Sequence, residues 1–496
     1  MMRLCSLTLL GATLLLAASL SQEPGPLLPL IEHVRAHPDG TAPWSIDFKA
    51  LEGDRSTLPI GVFDSGIGGL TVMEAILSLD RFNNRTLQPG PDGVPDFAGE
   101  RFIYLGDQAN MPYGNYPARG QEHYLRELIL KDAVFLLGKR FHRGTEAVDT
   151  KAPVKAIVIA CNTATVFGLE DLRAALGSWK LDVPVIGVVE AGSRAVSEHL
   201  PAEGKTGTIA VLATVGTCNA NAYPKAIGRA TGLAGKPLPS IIQRGSVGLA
   251  GAIEGNPAFV SADPAKRPAT YAGPAVANDQ SPLDPTLRDA YHFDPTGLLG
   301  DPAKPETWQL NSVANYARYD VTMLAEQYRQ SGGGAPIDTV VLGCTHFPII
   351  QSELADAFST LREFQSTSGD RPYRALIGEK IEFVSPAEFT AKELFRELAK
   401  NRLRINSENT KPPTIESSFI SVPNPEVPKV KLGPDGSFTT EYKYGRTAGQ
   451  LALEDFWYVP LRDAALPLDS LAGLARGLPI TWKELRLRET NRRSDF

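Results

Sequence analysis

Two cysteines stand in closely similar settings. "VIACNTAT" (158–165) and "VVLGCTHF" (340–347) each run apolar, deliver one thiol, and turn at once to small polar residues. A thiolate accepts protons and a thiol returns them. Short apolar runs of this kind read as buried strands, and ligands of open α/β sheets bind at the carboxyl ends of strands. Two thiols flanking one small ligand can remove a proton from one face of a carbon and deliver one to the other, which inverts a stereocentre. Other readings stand beside this one. A strand-end Cys is often a small buried hydrophobe. A Cys161–Cys344 disulfide is a second possibility. Metal binding at Cys344 and His346 is a third, although no Cys-x-x-Cys or His pair supports zinc.

A third motif, "DSGIGG" (64–69), lies between an apolar run and a helical pattern. Such a turn presents backbone N–H groups to an anion. It lacks the full dinucleotide spacing and the Lys-Ser/Thr of a phosphate loop, so a substrate carboxylate fits better than a nucleotide. Asp64 is either part of that site or a simple helix cap.

The elements that must position these residues alternate regularly. Strand patterns are expected at 60–64, 101–107, 155–161 and 183–190, with helices at 68–79, 118–140 and 164–176. The series then repeats. Strands are expected at 207–214, 239–245, 337–344 and 379–386, and helices at 218–230, 312–330, 348–358 and 387–400. Continuous apolar strands between helices imply parallel sheets covered on both faces. The expected fold is therefore α/β, with two similar doubly wound parallel-sheet domains facing each other across a cleft. The third strand of each half ends on a Cys.

The chain has 496 residues, 43% hydrophobic and 21% charged, enough for two or three domains. Net charge is −6 with no basic block, which argues against nucleic acid as a partner. Residues 1–21 read as a signal peptide, with Arg3 before an apolar run from about Leu7 to Leu20 and small residues after it. An uncleaved anchor is the alternative, although the run is short for a full span. Export to a periplasm or beyond follows from the favoured reading, with no stable membrane span after cleavage. Four cysteines, three without the signal, do not form a disulfide framework, and how free thiols would stay reduced after export is open. Residues 22–58 read as a leader. Residues 59–191 and 192–385 read as the two domains, the second carrying a Pro- and Asp-rich insertion at 256–310. The stretch 81–99 reads as a smaller surface insertion. Residues 386–401 read as a helix packing back on the first domain, and 402–496 as an extension, with 446–461 and 478–489 partly helical.

"IGVFDSGIGGLTV" (60–72), "FIYLGDQANMPYG" (102–114), "VIACNTAT", "VPVIGVVEAG" (183–192) and "VVLGCTHFP" (340–348) stand in one order. As a set they resemble the glutamate racemases of the aspartate/glutamate racemase superfamily, over residues 59–254 and 311–400. The resemblance implies a cofactor-independent, metal-free isomerase that interconverts L- and D-glutamate and supplies D-glutamate for peptidoglycan. It implies Cys161 and Cys344 as the acid/base pair, tuned by Asp64, His346 and Glu254, with Asp107 in support. "RGSVGLAGAIEG" (244–255), which carries Glu254, is the loosest match. Asp64, Ser65, Tyr113, Gly114, Asn162, Thr163, Thr345 and His346 match the substrate-contacting positions. Neutral donors and acceptors of that kind suit an ammonium and two carboxylates, and His346 can share the Cys344 proton. "CTH" resembles the glutamate-specific branch more than "CTE" does. The signal-like segment, the insertion and the tail depart from the family pattern. They leave open an exported aspartate or broader amino-acid racemase, a silent amino-acid-binding protein on the same scaffold, and a homodimer.

Overall fold

The computed structural model describes residues 28–143, 147–201, 207–261, 271–405, 411–461 and 477–493. The expected signal peptide lies outside them. Among the described residues no helix is long and apolar enough to cross a membrane.

The first half contains β1 (Ile60–Asp64), β2 (Arg101–Gly106), β3 (Ala156–Ile159) and β4 (Val185–Gly187). Its helices are α1 (Pro29–Ala36), α2 (Leu70–Ser78), α3 (Glu122–Leu137), α4 (Asn162–Trp179) and α5 (Val188–His199). The second half contains β5 (Thr208–Thr214), β6 (Ser240–Ser246), β7 (Ile337–Gly343) and β8 (Ile377–Val384). Its helices are α6 (Ala222–Leu233), α7 (Val313–Gln330) and α8 (Gln351–Glu363), followed by α9 (Pro386–Lys400). The four strands of each half are parallel, and both halves use one order: β2-β1-β3-β4 and β6-β5-β7-β8. Every residue of β1 is buried, which is why its sequence runs apolar rather than alternating. Cys344 directly follows the third strand of its half, and Cys161 follows the third strand of the other after one residue, Ala160.

Three expectations are corrected. The strand expected over 183–190 stops at Gly187, because "VVEAGSRAV" has helical period and opens α5. The stretch 446–461 is not helical. It turns as far as Asp455 and then forms β10 (Phe456–Pro460), whose aromatic and β-branched residues suit a strand. That strand pairs antiparallel with β9 (Thr414–Pro423), and β9 lies parallel beside β2. The extension thus widens the first sheet to six strands. Finally, the two insertions are not confined to the surface. Tyr291, Trp308 and Leu310 belong to the core of the second half, and Phe82 and Phe97 to the core of the first. Asp96 anchors the smaller insertion by accepting the Arg81 and Phe82 amides at 2.8 and 3.0 Å, and Phe82 stacks on Phe395 of α9.

The leader is anchored too. Leu30, Ile31 and Val34 of α1 are buried, and the Trp179 indole donates to Ile31 O at 3.1 Å. Helix α9 packs against α5 and α2, and α10 (Pro479–Arg493) also rests on α2. The Glu74 carboxylate accepts the free amides of Ile480 and Thr481 at the start of α10.

Candidate active site

The carboxyl ends of β1, β3, β5 and β7 bring the two halves together. Cys161 is the N-cap of α4, where its sulfur accepts the Ala164 amide at 3.4 Å. The same sulfur lies 3.6 Å from Ser65 Oγ. Burial, and then the Asp64 carboxylate, push the Cys161 thiol well above its ordinary range. This thiol rests protonated and able to donate.

Cys344 has a different partner. Its sulfur lies 3.6 Å from His346 Nδ1, and His346 Nε2 lies 2.7 Å from Glu254 Oε1. Glu254 ends the short helical turn Leu249–Ile253. Burial opposes charge on the ring, but Glu254 and Cys344 outweigh it and hold the His346 pKa well above the usual imidazole range. Stability drawn from this shift is complete below the unfolded-state value and is lost as pH rises through the raised native value. Glu254→Gln removes the main opposing charge. Thermal melts should then show the wild type losing its advantage over the variant between about pH 6.5 and alkaline pH, with the gap widest on the acid side.

Asp64 makes one bond that bears on the cap reading. Its Oδ2 accepts the Gly69 amide at 2.8 Å, a cap-like role just before α2. Its Oδ1 is buried without a hydrogen-bond partner in the protein. Burial raises its carboxyl pKa, against the pull of His346 and of the Gly69 and Ser65 amides. An orphaned carboxylate oxygen beside Cys161 suits a ligand ammonium or a mobile proton.

Of the glycines of the 64–69 turn, Gly68 owes its identity to the opposite half and Gly66 to the 107–114 loop of its own half. A Cβ on Gly68 would stand 2.4 Å from His346 Cε1 and 2.6 Å from Thr345 Oγ1. A Cβ on Gly66 would stand 2.5 Å from Met111 Sδ. Gly68→Ala must therefore displace the His346 ring. We expect it to lower turnover by about 10²-fold, the range for losing a positioned proton carrier, with a much smaller change in the melting temperature.

Further cross-links close the mouth. Tyr223 donates to Asn162 Oδ1 at 2.6 Å, Thr163 Oγ1 lies 3.3 Å from Thr214 Oγ1, and Thr71 Oγ1 donates to Thr345 O at 2.9 Å. Gly114 sits against Thr214 and Gly216. Tyr113 is placed differently from its neighbours. Its hydroxyl lies 2.5 Å from Asp107 Oδ2 and 2.7 Å from Asp132 Oδ2, inside the first half. A ligand near position 113 would meet backbone rather than phenol. Asp107 also accepts from Asn110 at 2.7 Å, and burial raises its pKa. It supports the 107–114 loop from below.

The structure thus gathers Asp64, Ser65, Cys161, Asn162, Thr163, Glu254, Cys344, Thr345 and His346 at one junction, with Gly114 at its edge and Asp107 and Tyr113 behind it. Sequence reasoning missed Tyr223, Thr214 and Thr71. Tyr223 stood only as part of a helical pattern, and nothing local marks it. Among the described residues, no group of three His, Cys, Asp or Glu side chains is arranged to hold a metal, and Cys161, Cys218 and Cys344 are free thiols.

Residues 143–262 match the family model for Asp/Glu/Hydantoin racemases. A glutamate racemase from Limosilactobacillus fermentum is 37% identical over 202 residues, 40% of this chain. That match spans only 59% of the L. fermentum protein. A glutamate racemase from Corynebacterium diphtheriae is 28% identical over 377 residues, covering 76% of this chain and 94% of its own. Over these stretches the chain is similar to glutamate racemases. The solved structure of glutamate racemase isoform RacE1 from Bacillus anthracis aligns with 73% of this chain and 87% of its own, at 23% identity and a TM-score of 0.43.

Proposed function

We propose that this glutamate-racemase relative interconverts L- and D-glutamate without a cofactor, using Cys161 and Cys344 as opposed acid and base. The observation that carries the proposal is the pairing of two thiols at equivalent strand ends of two sheets with the same order, each with a different proton partner. In one direction the Cys344 sulfur, as thiolate, takes the Cα proton. The electron pair left on Cα spreads into the adjacent carboxylate. Cys161 S–H then gives its proton to the opposite face and becomes the thiolate. The reverse reaction starts from that state. His346 with Glu254 exchanges the Cys344 proton, and Asp64 with Ser65 does the same for Cys161. Backbone amides of the 64–69 turn, Asn162, Thr163 and Thr345 are placed to orient the ammonium and carboxylates. Interactions that strengthen as charge develops at Cα lower the barrier. Asp64, Cys161, Asn162, Thr163, Cys344, Thr345 and His346 are buried, so substrate would enter by parting the 64–69 turn from the 344–346 turn.

Polarimetry on the reduced protein with L-glutamate and, separately, L-aspartate tests the reading. Decay of rotation with L-glutamate as the preferred substrate supports it, and a role in supplying D-glutamate for peptidoglycan would follow. The signal-like segment at 1–21 favours one second reading, an exported racemase of aspartate or broader scope. Faster decay with L-aspartate would select that reading. Tight binding of either amino acid with no decay would select a silent binding protein.

A further inference from the structure

The C-terminal extension reaches the candidate site through one loop. Residues 107–119 run from the end of β2 to the start of α3, and the extension grips them at successive points. Ser421 Oγ of β9 accepts the Ala109 amide at 2.9 Å. Lys443 Nζ donates to Met111 O at 2.7 Å. Arg446 Nη2 donates to Asn110 Oδ1 at 2.5 Å and to Tyr116 OH at 3.2 Å. Arg119 lies over the Tyr444 ring, 4.2 Å from its centroid. Arg446 is itself fixed from behind, donating to Asp455 Oδ2 at 3.1 Å, and both side chains are buried.

The gripped loop is also the one that closes on the site. Met111 fills the space that a side chain at Gly66 would need, and Gly114 lies against Thr214 and Gly216 of the second half. Asn110, held by Arg446, is also the residue that donates to Asp107. The loop's own bonds are mostly short turn bonds, Asn110 N to Asp107 O, Met111 N to Gln108 O and Tyr116 N to Tyr113 O, and the extension adds long-range ties that limit its opening. The guanidinium and the ammonium each satisfy an acceptor that the loop cannot satisfy internally.

We propose that Lys443 and Arg446 are positioning residues for substrate binding, acting through the 107–116 loop. The extension is then a working part of the site rather than an appendage. The inference rests on the racemase reading given above, and its first readout does not depend on that reading.

Lys443→Met keeps the aliphatic stem and removes the bond to Met111 O. Hydrogen exchange followed by mass spectrometry on the free full-length protein should show faster amide exchange over 108–116, with the β5–β8 sheet unchanged. With L-glutamate, KM should rise roughly fivefold, the factor associated with one lost hydrogen bond, while kcat stays within about twofold. Arg446→Gln should raise KM further, and Arg446→Lys should recover part of the loss by retaining a donor. If Arg446→Gln fails to fold, Lys443→Met carries the test alone. Unchanged exchange over 108–116 and an unchanged KM in Lys443→Met would overturn the inference, even if the melting temperature falls. A wild type that shows no racemisation would sink the racemase reading instead, while faster loop exchange in Lys443→Met would still show the grip.

Discussion

Cys161→Ser and Cys344→Ser are each expected to lose about 10³-fold or more in L-glutamate racemisation while keeping the wild-type circular dichroism. A proton carrier in the transition state is commonly worth 10²–10⁴-fold, and serine is a far weaker acid than a thiol. The fold should tolerate both changes. At position 161 a serine hydroxyl can still accept the Ala164 amide at the start of α4, the role the sulfur now fills. At position 344 the change leaves the hydrogen bond between His346 and Glu254 in place. Circular dichroism and melting curves, run beside the polarimetric assay, separate lost chemistry from lost structure. If either variant keeps more than about a tenth of wild-type turnover, the two-thiol chemistry fails, since a positioned acid or base is worth more than that.

Removing residues 411–496 should prevent the first half from folding. The deletion takes β9 and β10 and uncovers the edge of β2. Phe419, Ile420, Phe456 and Tyr458 are all buried at 4% exposure or less. Each such side chain contributes about 2 kcal/mol of burial, so their joint loss is comparable with the 5–15 kcal/mol that typically holds a domain together. The deletion also strips Asp132 of the Tyr458 hydroxyl, which donates at 2.8 Å, and leaves the Asn110 and Met111 acceptors without Arg446 and Lys443. Expression of the truncated chain should give insoluble or collapsed protein, read by solubility and near-ultraviolet circular dichroism. A soluble, cooperatively melting product would show that the six-stranded sheet is not needed.

The strands flanking the site were legible because both sheet faces are covered, so "IGVF" (60–63), "AIVIA" (156–160) and "VVLG" (340–343) run apolar without alternation. The thiols were legible for the same reason: a polar turn after such a run marks a strand end. The grip of the extension was not legible. Residues 456–460 become a strand because β9 offers them an edge, and β9 itself exists because β2 does. That partnership spans most of the chain and leaves no periodic mark. The glycines of "DSGIGG" suggested an anion loop. The structure gives Gly68 a reason the sequence could not carry, the His346 ring packed where its side chain would be. Tyr113 illustrates a further limit. A motif places the residue near the site, but only the burial of Asp107 and Asp132 decides where its hydroxyl turns.

The most direct test of the opposed-thiol account is the isotopic fate of Cα during a single conversion. The reduced full-length protein is given L-glutamate in D2O and stopped at less than about a tenth of full conversion, before the reverse reaction contributes, and the two enantiomers are separated so that Cα–H can be read on each by proton NMR. Two separate proton carriers predict that the D-glutamate formed carries solvent deuterium at Cα while the remaining L-glutamate keeps its proton. D-glutamate that retains the original proton would contradict the account, because it would require one group to remove and return the same proton.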